Sequence, residues 1–302
     1  MNDAASVIFR CGIVALAGRA NVGKSTLMNR LVGEKLSIVS HAPQTTRFPI
    51  RGVLHSTESQ IVFIDTPGIH KPRHRMNEEM VRFARQVLQD VDLVAILVDA
   101  FEGYGPGDRF VFDLVRRSSD RNVLVLNKID LMPRERLLPL LEEAGRRELF
   151  QEMVPVSAET GENCDRLVKV LRERIPAAPP LFPPETLTDL PERLGVAEIV
   201  REQICLQTRQ EVPQSTAVLV ESFEREESGL TRIHAIILVD RPSQKGILIG
   251  SGGSMMKMIG TAARINLEKY LSSRVHLDLW VKVREGWRED PSLLRRLGLS
   301  VP

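Results

Sequence analysis

Residues Gly18-Arg19-Ala20-Asn21-Val22-Gly23-Lys24-Ser25 place two glycines, a lysine and a hydroxyl at the spacing G-x-x-x-x-G-K-S, directly after the apolar run Ile13-Val14-Ala15-Leu16-Ala17. A buried strand that runs into a glycine-rich turn and then a helix makes a phosphate cradle. Backbone N–H groups point inward, and the helix N-terminus adds its positive end. Lys24 can reach the β and γ phosphates, and the Ser25 hydroxyl can ligate Mg²⁺. The cradle ends at Thr26.

Two further stretches extend the chemistry. Asp65-Thr66-Pro67-Gly68 closes a second apolar run. A carboxylate at such a strand end can hold the water shell of Mg²⁺, and the Gly68 N–H can meet a γ-phosphate. Asn127-Lys128-Ile129-Asp130 closes another. The Asp130 carboxylate can accept hydrogen bonds from both N1–H and the exocyclic amine of guanine, a pair that adenine does not offer. A polar site left unpaired by the wrong base rejects it by about 10⁴-fold. The Lys128 stem can lie along the base, and Asn127 can brace the loops. Ser157-Ala158 can meet guanine O6 through backbone N–H groups.

These loops need elements to carry them. Strand-like runs at Ile13–Ala17, Ile50–His55, Gln60–Asp65, Leu93–Asp99, Val123–Asn127 and Met153–Val156 alternate with helical stretches at Lys24–Leu31, Asn77–Gln89, Asp108–Ser118, Glu135–Leu149 and Cys164–Arg174. The alternation predicts an α/β domain with a mostly parallel six-stranded sheet and helices on both faces. The short link 56–59 predicts one antiparallel pair. Domain one is expected over residues 1–175, a semi-rigid proline-rich linker over 176–191, and a second domain over 192–302.

Taken in order, G-x-x-x-x-G-K-S, D-T-x-G, N-K-x-D and S-A resemble the GTPases of the translation-factor-related class. The resemblance implies a GTP/GDP switch with Mg²⁺. The first switch is expected around Ser37–Pro49, with Thr46 closing on Mg²⁺ and Thr45 as the fallback, and the second over Gly68–Met76. Ser25, Thr46 and Asp65 form the expected metal set, and Lys24, Thr46, Gly68 and Asn21 the expected catalytic set. Ile69 follows Gly68 where Ras-like enzymes carry a water-orienting glutamine, so intrinsic hydrolysis should be slow. In related bacterial GTPases with a hydrophobic residue here, an asparagine at the position of Asn21 helps bind K⁺. A loop-bracing role for Asn21 is the alternative.

The second half reads helix Val196–Gln210, strands Thr216–Arg225 and Thr231–Asp240, the run Gly246–Ile249, a glycine cluster, helix Ser254–Leu271, strand Val275–Val283 and a short helix Ser292–Leu297. In Ile249-Gly250-Ser251-Gly252-Gly253, Gly250 and Gly253 fit G-x-x-G, which lets a nucleic-acid backbone approach closely. The α-β-β-α-β order resembles the type II KH module, an α+β fold. Residues 185–240 carry 5 basic and 11 acidic side chains, and residues 241–302 carry 11 basic and 5 acidic. Lys245, Lys257, Arg264 and Lys282 are therefore candidate RNA contacts, and Ile247 and Ile249 either face bases or belong to the core.

A GTPase, a proline-rich link and a KH module on one chain resemble the Era family of bacterial ribosome-assembly GTPases. The stretches Gln44–Arg47, Val275–Val283 and Gly286-Trp287 agree with that family. The resemblance implies binding of the 3′ end of 16S ribosomal RNA, a role in 30S subunit maturation, a monomer, and peripheral association with the inner membrane. Relatives commonly carry a lysine inside G-x-x-G, whereas this loop has Ser251 and Gly252. Loss of one phosphate contact would lower the salt slope by about 0.9. A double-G-domain GTPase of the Der type is disfavoured by the single phosphate loop, and a mitochondrial homologue by the lack of an Arg-rich leader. A constitutive RNA scaffold stabilised by nucleotide is the other alternative.

The whole-chain composition is consistent with this reading. A net charge of +2 over 302 residues names no partner by itself. Cys11, Cys164 and Cys205 have no metal or redox spacing and read as small hydrophobes in a reducing compartment. No apolar run reaches the length of a membrane span, so a cytoplasmic protein is expected.

The base-site reading makes a direct prediction. Asp130→Asn should shift preference from guanosine toward xanthosine nucleotides in competition binding; retained GTP selectivity would sink the assignment.

Overall fold

The computed structural model describes residues 8–42, 44–69, 74–119 and 121–299. Its elements, in chain order, are β1 (Arg10–Gly18), α1 (Lys24–Val32), β2 (Ile50–His55), β3 (Ser59–Asp65), α2 (Arg75–Gln89), β4 (Leu93–Asp99), α3 (Pro106–Arg116), β5 (Asn122–Asn127), α4 (Leu137–Gly145), β6 (Glu152–Pro155), α5 (Cys164–Arg174), α6 (Glu192–Gln207), α7 (Val212–Ser215), β7 (Ala217–Arg225), β8 (Leu230–Val239), α8 (Pro242–Ile249), α9 (Ser254–Leu271), β9 (Arg274–Val283) and α10 (Pro291–Arg296).

The first sheet has the order β2-β3-β1-β4-β5-β6. β1, β3, β4, β5 and β6 run parallel, and β2 pairs antiparallel with β3. Every residue of β3 and β4 is buried, as expected of central strands covered on both faces. One face packs Ile96, Val98 and Leu124 against Ala84 and Leu88 of α2, Val111, Phe112 and Val115 of α3, and Ala144 of α4. Leu27 and Met28 of α1 and Leu167 and Leu171 of α5 are also fully buried. Because five strands are parallel, their C-terminal ends share one edge of the sheet, and the three motif strands end there at Gly18, Asp65 and Asn127.

The helix expected over Glu135–Leu149 is shorter. A 3₁₀ turn at Arg134–Arg136 leads into α4, which ends at Gly145. Pro139 falls in its first turn, where a missing N–H costs least.

The chain divides into two compact units. The first extends to Asp189, beyond the boundary expected at residue 175. Much of the expected linker is pinned to it. The Gln60 side chain accepts from the Leu181 and Phe182 N–H groups at 2.7 and 3.0 Å and donates to the Phe182 carbonyl at 2.7 Å. Val53 N–H donates to the Leu187 carbonyl at 2.9 Å. Prolines exclude a regular strand here, yet the remaining backbone groups still find partners along β2 and β3. The second unit takes the residues from Leu190 onward, together with Ile38–Thr45 and the start of α2 up to Met80.

The second unit holds a sheet of order β7-β8-β9, antiparallel then parallel. Val275, Leu277, Leu279, Val281 and Val283 of β9 share the core face as the alternation predicts, against Val196 and Val200 of α6 and Ile259, Ala263 and Leu267 of α9. Two short helices escaped the sequence reading, α7 and α8. The run Gly246–Ile249 is the end of α8, so the order is α-β-β-α-α-β once the short α7 is set aside. Pro242 opens α8, and the Gln244 side chain accepts the N–H groups of Asp240 and Arg241, both at 3.0 Å. Trp287 is fully buried and donates its indole N–H to the Ser215 carbonyl at 2.9 Å.

Candidate functional site

The phosphate loop joins β1 to α1, and Lys24 is the first residue of that helix. Its ammonium donates to the carbonyls of Gly18 at 3.1 Å and Arg19 at 2.6 Å, so it lies curled against the loop. Burial holds Lys24 down at about 8; Arg19 adds to that fall and Asp65 opposes it. A polyanion in the loop would favour the charged form. The Arg19 side chain turns away, paired with Asp108 at 2.9 Å and Glu102 at 3.0 Å, which leaves only its backbone for the cradle. Asn21 is exposed, with φ 64°.

Three oxygen-bearing side chains meet beside Lys24. The Ser25 hydroxyl donates to Asp65 Oδ2 at 2.7 Å and the Thr46 hydroxyl donates to the same oxygen at 3.1 Å, the two hydroxyls lying 3.0 Å apart. Asp65 Oδ1 is buried with no hydrogen-bond partner among the described residues. Burial pushes the Asp65 carboxyl upward, and the Lys24 charge and the Ser25 hydroxyl pull it back. Hard oxygens gathered around an unsatisfied carboxylate oxygen suit Mg²⁺. Of the two threonine candidates, Thr46 stands here. Thr45 donates its hydroxyl to the Ala42 carbonyl at 2.6 Å instead.

Thr66 gives its hydroxyl to the Leu16 carbonyl at 2.7 Å, which leaves its backbone and that of Pro67 to shape the turn. A Cβ on Gly68 would lie 2.9 Å from the Ala20 Cα and 3.0 Å from its N, so glycine lets this turn lie against the phosphate loop. Ile69 is buried in the core, consistent with its having no part in orienting water. His70, Lys71, Pro72 and Arg73 of the expected second switch, and residues 1–7 read for a leader, lie outside the described residues.

At the other end, Asn127 ties two loops together. Its Nδ2 donates to the Val22 carbonyl at 2.8 Å, and its Oδ1 accepts the Ala158 N–H at 2.9 Å. The Ala158 N–H is thus already engaged and would have to be shared with guanine O6. Ser157 is buried, and its hydroxyl accepts the Thr160 N–H at 3.0 Å. Lys128, at φ 66°, pairs with Asp99 at 2.6 Å. Asp130 is exposed in the 3₁₀ turn Ile129–Leu131. Sequence reasoning missed Asp99, which carries no motif of its own but ends β4 beside the Asn127 end of β5.

In the second unit, the loop between α8 and α9 has Gly250, Gly252 and Gly253 all at positive φ, 73°, 57° and 80°. A Cβ on Gly250 would meet Met255 at 2.8 Å. Ser251 and Gly252 are exposed at the tip. Lys245 on α8 and Lys257 in the first turn of α9 flank the loop. Ile247 and Ile249 are exposed rather than core, and so is Met258, which the sequence reading passed over. Two candidates are not brought to the loop. Arg264 lies ten residues, or about 15 Å, along α9 and pairs with Glu268 at 3.0 Å. Lys282 alternates with the core residues Val281 and Val283, which turns it to the sheet face away from α6 and α9.

Within the same unit, α6 holds the segment Ile38–Thr45. Glu202 accepts the Val39 N–H at 3.2 Å, and buried Arg201 donates to the Thr45 carbonyl while paired with Glu198. None of these three α6 residues was singled out from sequence. Charged residues on a helix normally read as a solvated face.

Fold and site together define a class, a P-loop GTPase carrying a KH module on the same chain. Residues 13–128 match the family model of the 50S ribosome-binding GTPase, and residues 211–288 that of the KH domain. The chain is 48% identical to GTPase Era of Geobacter metallireducens over 97% of its length and 98% of that protein's. It is 43% identical to GTPase Era of Syntrophus aciditrophicus, covering 98% and 97%. A crystal structure of an Aquifex aeolicus Era variant bound to GDP and AlF4⁻ superposes with a TM-score of 0.93 at 40% identity, over 97% of this chain and all of that one. A structure of Era with MgGDPNP and nucleotides 1506–1542 of 16S ribosomal RNA gives 0.94 at 40% identity, with the same coverage. The chain belongs to the Era family of GTPases.

Gly68→Ala should force the 65–68 turn off the phosphate loop and weaken guanine-nucleotide binding at least about tenfold. Titration with a fluorescent GDP analogue checks this, with an unchanged far-ultraviolet spectrum as the control; unchanged affinity contradicts the close approach.

Proposed function

We propose that this GTPase is a GTP-driven switch that binds the 3′ region of 16S ribosomal RNA and assists maturation of the 30S subunit. One observation carries the switch. Thr46, whose hydroxyl sits on Ser25 and Asp65, directly follows Thr45, whose carbonyl is held by Arg201 of α6. Thr46 is thus one peptide unit away from a segment that belongs to the RNA-binding unit. A ligand shifts such an equilibrium only by its differential affinity for the two states.

In this reading Ser25, Thr46 and Asp65 hold Mg²⁺, which would neutralise charge on the β and γ phosphates. Lys24 leaves the Gly18 and Arg19 carbonyls for the phosphates, and the Gly68 N–H meets the γ-phosphate. Asp130 reads the guanine edge while Asn127 and Lys128 fix the loops around it. With Ile69 in the core, Asn21 would help hold a K⁺ that would supply part of the missing charge stabilisation. The Gly250–Gly253 loop takes the RNA backbone, Lys245 and Lys257 meet phosphates, and Ile247, Ile249 and Met258 offer apolar surface to unstacked bases. The relative solved with nucleotides 1506–1542 supports this choice of RNA.

The protein would act as a monomer in the cytoplasm. No helix among the described residues is long and apolar enough to cross a membrane. Peripheral contact with the inner membrane rests on the family resemblance.

The central test is affinity for a 3′-terminal 16S fragment at fixed salt, with GDP and with a non-hydrolysable GTP analogue. Markedly tighter binding in the GTP state is expected. Equal affinity would favour a constitutive RNA scaffold. Replacing Ser251 and Gly252 with Asp should abolish RNA binding and spare GTP binding; retained RNA affinity would remove the loop from the RNA site. GTP turnover should fall when NaCl replaces KCl, and unchanged turnover would reject the K⁺ role.

A further inference from the structure

α1 carries the phosphate-contacting Lys24 at its start and Arg30 near its end. The Arg30 guanidinium does not simply face solvent. Its Nε donates to the Ala158 carbonyl at 3.1 Å, and its Nη2 donates to the Glu159 carbonyl. The two carbonyls are consecutive, and a planar fork suits such a pair where a lysine's single ammonium does not. Arg30 also walls a groove of about 490 Å³ with Leu31, Leu54, Cys164 and Val168, which touches the 157–162 loop at Gly161.

These bonds close a circuit around the base end of the site. Ala158 N–H is held by Asn127, and Asn127 holds Val22. Val22 leads through Gly23 into α1, and α1 returns to Ala158 and Glu159 through Arg30. The loop is also folded on itself, by Gly161 N–H on the Ser157 carbonyl at 2.8 Å and Ser157 N–H on the Glu162 carbonyl at 3.0 Å. Those bonds fix its shape. Asn127 and Arg30 fix its position on either side of Ala158, the first through the N–H of Ala158 and the second through the carbonyls of Ala158 and Glu159.

We propose that Arg30 is a positioning residue for the guanine-reading loop, clamping Ala158 and Glu159 to the phosphate-loop helix and thereby setting how long, and how selectively, a guanine nucleotide is held. This rests on the reading of Ser157-Ala158 and Asp130 as the base site. Arg30 acts through the loop and touches no group assigned to hydrolysis. Its loss therefore affects nucleotide release and position-6 selectivity and leaves the chemical step alone.

The test uses the full chain with Arg30→Ala and Arg30→Lys. Hydrogen bonds from a charged donor support about a tenfold change. GDP dissociation, followed by stopped flow, should quicken about tenfold in Arg30→Ala, with Arg30→Lys in between. Turnover at saturating GTP should stay within about twofold. The preference for GTP over 6-thio-GTP, which differs only at the position facing the loop, should shrink. The preference for GTP over ITP, read by Asp130, should hold. Melting of the nucleotide-free variants controls for folding. An unchanged dissociation rate in Arg30→Ala overturns the proposal, as does a variant in which turnover and both preferences fall together. If Asp130→Asn also keeps its GTP selectivity, the base-site reading itself has failed, and this proposal with it. If Asp130→Asn switches to xanthosine while Arg30→Ala behaves as wild type, only the clamp is wrong.

Discussion

Lys24 and Asp65 are both removed from water, and a buried charge survives only where it is met by partners. Their surroundings follow from that requirement. The ammonium lies on the Gly18 and Arg19 carbonyls, and the carboxylate collects the hydroxyls of Ser25 and Thr46. Those partners come from the end of β1, the start of α1, the end of β3 and the segment before β2. The geometry can be met only if β1 and β3 run parallel and side by side, as their register from Arg10 with Ser59 to Leu16 with Asp65 provides. The same packing leaves Asp65 Oδ1 unsatisfied at the spot where a divalent cation would complete it.

That centre reaches outward along the backbone. Thr46 belongs to the charged cluster, and its neighbour Thr45 belongs to the α6 grip built from Glu198, Arg201 and Glu202. Two buried polar networks therefore terminate on adjacent residues. A network of this kind is costly when partly satisfied, so neither end can shift without a matching change in its own partners. At the base end the device differs. Asn127, Lys128 and Arg30 join loops through single side chains to backbone or to Asp99, which places loops of intrinsically weak structure without a large apolar interface.

The second unit solves another problem with little side-chain chemistry. Positive φ at Gly250, Gly252 and Gly253 turns the chain between α8 and α9 and leaves the tip bare. Apolar side chains that do not fit the core, Ile247, Ile249 and Met258, stay exposed on those helices, while Leu248 and Ile259 are buried. The tip carries no lysine, and Lys245 and Lys257 stand on the flanking helices.

By itself the sequence determined the two-unit order, the sheet with its one antiparallel pair, and the phosphate, metal and base motifs. These are local signals: glycine at a turn, continuous apolar runs in central strands, and short polar strings at strand ends. The boundary of the first unit, the helix at Pro242–Ile249, and the placing of Thr46 rather than Thr45 beside Ser25 and Asp65 were decided only in three dimensions. So were the distance of Arg264 from the glycine loop, the sheet face of Lys282 and the contacts made by Arg30, Asp99 and Arg201. The first boundary and the contacts of Arg30 and Arg201 depend on partners far away in the chain. Arg30 meets Ala158, Gln60 meets Phe182, and Arg201 meets Thr45, at separations of 128, 122 and 156 residues. A charged or amide side chain announces no such partner in its own neighbourhood, because whether it is solvated or buried is settled by packing.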